Sequence, residues 1–170
     1  SNPDHASCAS EITSPSTPIE RNGAPVPSQL SGFAWLNASG TLRGAFASGS
    51  TRLSGEVNAI AAQSDGRLLL GGAFANLSNT TGGKLVRFSA AGAIDPSFNP
   101  APNGAVTGIV VQTDGRIVIV GTFTMVGGVA RNRIARLDTD GSVDVTYDPS
   151  ANARINAIVL EADGRVVIGG

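Results

Sequence analysis

Residue types that build reactive sites are scarce in this chain of 170 residues. It has one cysteine (Cys8) and one histidine (His5), and both lie in a polar stretch near the start of the sequence. A single cysteine cannot form an internal disulfide, and a lone histidine offers little to acid–base or metal chemistry. The sequence also lacks a GxSxG nucleophile motif. These absences exclude a disulfide-stapled fold and argue against a hydrolase of the Ser–His or Cys–His type.

Net charge, aromatic residues and long apolar runs are also scarce. Lys and Arg number 12 against 13 Asp and Glu, the formal net charge is −1, and aromatic residues make up 5% of the chain. A nucleic-acid surface needs a basic patch, and single-stranded nucleic acids also need stacking aromatics. No apolar run reaches the ~18–20 residues of a membrane-spanning helix. We therefore expect no nucleic-acid partner and no membrane insertion.

The dominant positive feature of the sequence is internal repetition. The segment VNAIAAQSDGRLLLGGAF (residues 57–74) returns as VTGIVVQTDGRIVIVGTF (residues 106–123) and again as INAIVLEADGRVVIGG (residues 155–170). Successive copies are spaced by 49 residues. A fixed period of this size indicates a repeat architecture.

Each copy predicts two strands joined by a tight turn. In the second copy, Val106–Gln112 and Arg116–Val120 are rich in β-branched residues, which favour strands. Between them, Asp114 can bond its own backbone, and Gly115 supplies the left-handed conformation that a short hairpin turn needs. The second strand is apolar at consecutive positions, so we expect both of its faces to be covered.

A second hairpin pattern lies between the copies. Phe33–Leu42 matches Leu85–Ile94 and Ile134–Val143, and each segment has a glycine in its turn. An aromatic residue follows each hairpin, and we expect it to pack between neighbouring sheets. These aromatic residues are Phe46, Phe98 and Tyr147. Each complete unit therefore predicts four short antiparallel strands in its 49 residues.

The repeat divides the chain into two regions. Residues 1–31 are dense in Ser, Pro, Thr and Asn, which is typical of an extended arm or linker. Residues 32–170 form the repeat region. It comprises a half unit (32–56), a first full unit (57–105), a second full unit (106–154) and a C-terminal half unit (155–170).

Four strands per unit at this period are typical of the blades of a β-propeller, an all-β fold. The patterns QSDGRLLLGGAF … KLVRFSAAGAIDPSFNP and QTDGRIVIVGTF … RIARLDTDGSVDVTYDP closely resemble the delta-60 repeat of bacterial proteins. This resemblance implies propeller blades, often within large secreted or surface proteins, and no general catalytic role. The glycine doublets are also similar to kelch repeats, the second choice, but the Tyr and Trp typical of a kelch blade are absent.

The units in the chain are fewer than the four to eight blades of a closed propeller. We therefore predict an incomplete propeller, or one that is completed between chains. The two half units are complementary, since one carries the second hairpin of a unit and the other carries the first. A longer parent chain with more repeats is the competing explanation. The expected partners are accordingly other protein chains, through self-association, or further repeats of a parent chain.

The recurrent Asp-Gly-Arg triplets invite a catalytic interpretation, because they place carboxylates and guanidiniums at equivalent positions. Turn geometry already explains the Asp and the Gly. The arginines would pair across strands or cover apolar surface with their stems. We therefore predict no catalytic residue and no enzymatic activity.

One turn has the pattern of a short calcium loop, with oxygen ligands at alternate positions around a glycine turn. Its acidic residues are Asp138, Asp140 and Asp144. The equivalent segments Asn37–Arg43 and Ser89–Asp95 lack the alternate acids. We predict at most one calcium site, confined to this copy, and no other cofactor. The alternative is a solvated hairpin turn.

Two classes of function follow from these patterns. The leading hypothesis is a non-enzymatic extracellular or cell-surface protein that acts as a structural, assembly or adhesion scaffold. The alternative is a ligand- or glycan-binding propeller module, as part of a larger hydrolase or alone. Trp35, which replaces Arg87 and Arg136 of the other copies, could seed a stacking platform. The glycine-rich segments Ala75–Gly83 and Thr124–Arg131 are natural places for a binding surface.

Overall fold

The computed structural model describes residues 55–74 and 83–170, and within these ranges the chain forms short β-strands and no helix. The predicted arm, Trp35, Phe46 and most of the N-terminal half unit lie outside the described residues. The strands are β1 (Val57–Ala62), β2 (Leu68–Gly72), β3 (Leu85–Phe88), β4 (Val106–Val111), β5 (Ile117–Gly121), β6 (Met125–Val126), β7 (Val129–Ala130), β8 (Ile134–Leu137), β9 (Ala157–Leu160) and β10 (Val166–Gly169).

Each full unit forms a three-stranded antiparallel sheet, in the order β1-β2-β3 for the first and β4-β5-β8 for the second. The C-terminal half unit contributes the two-stranded sheet β9-β10, and β6 and β7 pair as a small separate hairpin. The register repeats between units. Leu70 lies opposite Ile60 and Val86, as Ile119 lies opposite Ile109 and Ala135. The all-β, antiparallel fold class is confirmed.

The predicted fourth strand of each unit is present only as a single bridge pair. In the first full unit, Phe88 pairs with Ile94. Asp95 then turns the chain, because its Oδ1 accepts hydrogen bonds from the main-chain N and the Oγ of Ser97. Such a local side-chain bond competes with extension of the ladder. The second full unit repeats the arrangement with Leu137, Val143, Asp144 and Thr146.

The sheets of successive units stack on each other through their apolar faces. Leu69 and Leu85 of the first full unit share a buried cluster with Ile109 of the second. Val118, on the other face of the second sheet, shares a cluster with Ile155 of the C-terminal half unit. Strand β5 is buried along its whole length. Coverage of both faces, as expected for an apolar second strand, is therefore observed in this unit.

The first strand of one unit packs against the unit before it. We call the contacts between one unit and the next a unit boundary. A β-carbon added to Gly71 of β2 would lie 2.6 Å from Val106 Cγ1 and 3.0 Å from Ile109 Cδ1, both on β4. A β-carbon added to Gly108 would lie 2.5 Å from Ile158 Cγ2 on β9. The second full unit and the C-terminal half unit thus each insert an isoleucine beside a glycine of the preceding unit. Among the described residues, no helix is long and apolar enough to cross a membrane.

Candidate functional site

Each of the three Asp-Gly-Arg turns is stabilised by a hydrogen bond between its own aspartate and arginine. In each turn the Asp Oδ1 accepts a hydrogen bond from the main-chain N of the arginine two residues later, at 3.0 to 3.1 Å. Arg67 Nη2 lies 2.5 Å from Asp65 Oδ2, and Arg165 Nε lies 2.9 Å from Asp163 Oδ2. The hydrogen bond from the Arg67 side chain lowers the pKa of Asp65. These groups therefore stabilise turns.

Arg116 differs from its two equivalents because it reaches the neighbouring hairpin. Its Nε lies 3.4 Å from Asp138 Oδ1 and 3.7 Å from Asp114 Oδ2. Its Nη1 lies 3.9 Å from Asp144 Oδ2. The expected pairing of the arginine beyond its own turn is thus observed for Arg116, whereas Arg67 pairs within its turn.

The three aspartates of the predicted calcium loop are each directed to other partners. Asp140 Oδ1 accepts hydrogen bonds from the main-chain N and Oγ of Ser142, at 2.9 and 2.6 Å. Asp144 Oδ2 lies 2.8 Å from both Nε and Nη2 of Arg136. Asp138 lies beside the arginine of the neighbouring turn. Within the described part of the chain, no cluster of three acidic, histidine or cysteine side chains is arranged to hold a metal. The calcium site therefore stays a prediction to which this geometry adds no support.

An arginine, an aspartate and an aromatic ring form a compact cluster in each full unit. Arg87 Nε and Nη2 lie 2.9 and 2.8 Å from Asp95 Oδ2. Its guanidinium carbon lies 4.3 Å from the centroid of the Phe98 ring, a cation–π contact. We call this the first arginine cluster. The second arginine cluster repeats it with Arg136, Asp144 and Tyr147.

The first arginine cluster also crosses a unit boundary. Nη1 of Arg87 donates a hydrogen bond to the main-chain carbonyl of Thr139 in the second full unit. The Phe98 ring reaches the same unit, since a β-carbon added to Gly141 would lie 2.8 Å from its Cδ2. Phe98 belongs to the buried cluster that joins the two units. The predicted packing of the recurrent aromatic between sheets is therefore observed at this position.

The carboxylates of both clusters are held in the ionised form. Hydrogen bonds from the side chain and main chain of Thr146, together with Arg136, lower the pKa of Asp144 to about 2. Hydrogen bonds from Ser97 and then Arg87 lower the pKa of Asp95. A general acid or base that works near neutral pH needs the opposite shift. Sequence reasoning missed both clusters, although the spacing of eight residues between Arg and Asp is the same in the two units.

The segment Thr124–Arg131, predicted as a natural binding surface, contains the β6–β7 hairpin. Asn103 Oδ1 accepts hydrogen bonds from the main-chain N of Thr124 and of Met125, at 2.8 and 3.0 Å. Arg131 is buried and donates to the carbonyl of Val145 at 3.0 Å. These bonds attach both ends of the hairpin to neighbouring loops. The corresponding segment of the first unit, residues 75–82, lies outside the described residues.

A cleft of about 360 Å³ lies beside this hairpin. Its lining includes Asn99 and Pro100 of the first full unit, Val129 of β7, and Asp140 and Ser142 of the second hairpin turn. The lining carries one charged side chain and no aromatic ring. Its volume lies at the lower end of the range for small-molecule pockets.

Two segments of the chain, residues 63–98 and 112–147, match the family model described as "Domain of unknown function (DUF5122) beta-propeller". No curated protein matches the sequence. One similar solved structure is the crystal structure of selenomethionine-substituted virginiamycin B lyase from Staphylococcus aureus, with a TM-score of 0.44 and 17% sequence identity. The similarity covers 66% of this chain and 33% of that one, so this chain spans about a third of that structure's length. The two matched segments, one in each full unit, are therefore similar to β-propeller repeats of the DUF5122, or delta-60, type.

Proposed function

We propose that this chain is a non-enzymatic β-propeller repeat protein that acts as a structural, assembly or adhesion scaffold outside the cell or at its surface. One observation carries the proposal: the charged side chains that recur with the repeat are engaged by the fold. The aspartates of the Asp-Gly-Arg turns bond their own backbone. The arginine clusters pair Arg87 with Asp95 and Arg136 with Asp144. The charged side chains that recur with the repeat therefore support its turns and the packing of its units.

The extracellular or cell-surface location is part of the same proposal. It is supported by the resemblance to the delta-60 repeat, which is common in large secreted or surface proteins. A chain of nearly zero net charge, with a formal value of −1, is also suited to protein contacts rather than to nucleic acid.

A turnover screen with the purified chain tests the absence of enzymatic activity. We expect no hydrolysis of ester, peptide or glycoside substrates above the rate in buffer. Asp114→Asn and Val118→Ala form a matched pair, since the first removes a turn carboxylate and the second destabilises the buried core. A rate that is lost in Asp114→Asn but kept in an equally destabilised Val118→Ala variant would overturn the proposal.

The alternative function is a ligand- or glycan-binding module, and the cleft beside the β6–β7 hairpin favours it. Asp140 and Ser142 offer hydrogen-bonding groups there, next to the apolar Val129. Binding on a glycan array that is lost in Asp140→Asn but kept in Asp163→Asn would support this alternative. Trp35, the predicted stacking residue, lies outside the described part of the chain.

A further inference from the structure

The cleft beside the β6–β7 hairpin lies at the boundary between the two full units. Every residue that lines it falls between Asn99 and Val143, within the range 83–170 that the structure describes. Both of the units that form its walls are present, and its volume is about 360 Å³. The chemistry of its walls can therefore be read from described residues.

The walls of the cleft are held in place by contacts within the fold. Val126, which pairs with Val129 across the hairpin, is fully buried in the cluster that joins the two units. Asn103 and Arg131 hold the two ends of the hairpin. The hairpin turn, Gly127-Gly128, has φ values of 56° and 80°, which glycine adopts without strain. A cleft with fixed walls binds a ligand at little cost in ordering.

The polar side chains that line the cleft offer mainly hydrogen-bond acceptors. Asp140 Oδ1 already accepts from the main-chain N and the Oγ of Ser142. The other oxygen, Oδ2, has no hydrogen-bonding or ionic partner among the described residues. Because Ser142 Oγ donates its only proton to Asp140, it can only accept from a ligand. The amide of Asn99, the remaining polar side chain in the lining, can donate or accept.

The carboxylate of Asp140 gives the cleft a negative charge without a paired cation. Hydrogen bonds from the side chain and main chain of Ser142 lower the pKa of Asp140, so this carboxylate is ionised at neutral pH. Asp140 is the one charged side chain in the lining. The field of Arg87 reaches it, but that guanidinium is already paired with Asp95. A cationic ligand is therefore favoured over a neutral or an anionic one.

The free acceptors distinguish an ammonium group from a guanidinium. An arginine binds a carboxylate best through both carboxylate oxygens at once. At Asp140, Ser142 occupies one oxygen and leaves the other for a ligand. The ammonium of lysine is compact, carries three donors and no acceptor, and ends a flexible four-carbon stem. Val129, Val143 and Pro100 offer apolar surface for such a stem.

We propose that this cleft binds the lysine side chain of a partner protein. The ammonium donates to Asp140 Oδ2 and Ser142 Oγ, and the stem lies against Val129 and Val143. Asp140 is exposed, so a single lysine is held weakly, with a Kd on the order of 1 mM. This inference rests on the proposed scaffold function and names the chemistry of its partner.

Titration of the full, isotope-labelled chain with blocked amino acids tests the proposal. Lysine with an acetylated amino end and an amidated carboxyl end should shift the amide NMR signals of Val129, Ser142 and Val143. The norleucine equivalent has the same stem without the ammonium and should not bind. The arginine equivalent should bind at least about threefold more weakly. Added salt should weaken lysine binding, because an exposed ion pair is screened.

Variants of the chain assign the binding to the cleft. Asp140→Asn removes the charge but keeps an oxygen that can accept from Ser142, so we expect it to fold and to bind lysine about tenfold more weakly. Asp163→Asn is the matched control, because Asp163 occupies an Asp-Gly turn outside the cleft, and it should bind like the wild type. If Asp140→Asn fails to fold, Val129→Trp, which fills the cleft, replaces it and should abolish binding.

Lysine binding that is absent in the wild type, or equal in the wild type and a folded Asp140→Asn variant, would overturn the assignment. The same holds if norleucine, arginine or a neutral sugar binds as tightly as lysine. A chain that neither binds lysine nor turns over a substrate leaves the scaffold proposal standing. Turnover by a chain that binds lysine in the cleft defeats the scaffold proposal and keeps the lysine site.

Discussion

Arg87 donates a hydrogen bond from its Nη1 to the main-chain carbonyl of Thr139, 52 residues later in the sequence and in the next unit. The same guanidinium pairs with Asp95 and stacks on Phe98. One buried cation therefore joins the second hairpin of its own unit to the turn of the following one. Arg136 makes the same local contacts, but the described residues supply it with no carbonyl beyond its own unit. A comparison of the two arginines therefore distinguishes the local pairing, which both make, from the bond to the next unit, which Arg87 makes.

Replacing the two arginines should measure that coupling. We expect Arg87→Met to lower the free energy of unfolding by about 3 kcal/mol, because it leaves Asp95 without its cation and the Thr139 carbonyl without its donor. Arg136→Met should lower the free energy of unfolding by about 1 kcal/mol less than Arg87→Met does. The reason is that the Arg136 side chain is 19% exposed, against 4% for Arg87. Urea denaturation of both variants gives the two values. Equal losses would mean that the bond to Thr139 contributes nothing.

The stability of each Asp-Gly-Arg turn should depend on its glycine. Gly115 has a φ of 86°, and a β-carbon there would lie 3.0 Å from Thr139 Cγ2. Gly164 has a φ of 88° with no atom near the same point. We expect Gly164→Ala to cost about 1 kcal/mol through backbone strain alone, and Gly115→Ala to cost at least as much. Thr113→Ala should be nearly silent, and a melting experiment that gives Thr113→Ala and Gly115→Ala equal effects would contradict the turn assignment.

Asp144 should contribute a pH-dependent part of the stability. Its pKa is lowered from the ordinary 3.8 to about 2, so the folded chain favours the ionised carboxylate. The stabilisation is complete above the ordinary pKa and is lost as the pH falls through the folded value. Asp144→Asn should therefore lower the melting temperature at pH 7, and its difference from the wild type should shrink between pH 4 and pH 2. The exposed Asp163→Asn variant is the control, and a difference that does not change with pH would contradict the assignment.

Calcium binding should be weak and confined to one turn if it occurs. Arg136 holds the carboxylate of Asp144, and the backbone and side chain of Ser142 hold that of Asp140. A cation would have to displace these partners. Calorimetric titration should therefore detect at most one weak site, and Asp140→Ala should remove it. Binding at all three equivalent turns, or a tight site that survives Asp140→Ala, would contradict this placement.

The period, the hairpins and the turn residues could be predicted from the sequence because they depend on neighbours in the chain. The β-branched residues of β4 and β5 favour extended backbone, and Gly115 between them permits the left-handed turn at φ 86°. Their register then follows from the short loop that joins them. The stacking of units was also predictable in outline, since consecutive apolar residues such as Ile117–Val120 must be covered on both faces.

The tertiary structure decided which residues at the same repeat position have the same surroundings. Val118 and Val167 have the same side chain at the same repeat position, yet one is buried and the other is half exposed. The difference depends on whether a following unit covers them, which lies beyond any local pattern. The same holds for Arg87, whose bond to Thr139 joins residues that only the stacking of two sheets brings together. Asp144 could serve as a calcium ligand or as the partner of Arg136 by residue type alone, and the packing of the cluster selects the arginine because the buried carboxylate of Asp144 must be paired.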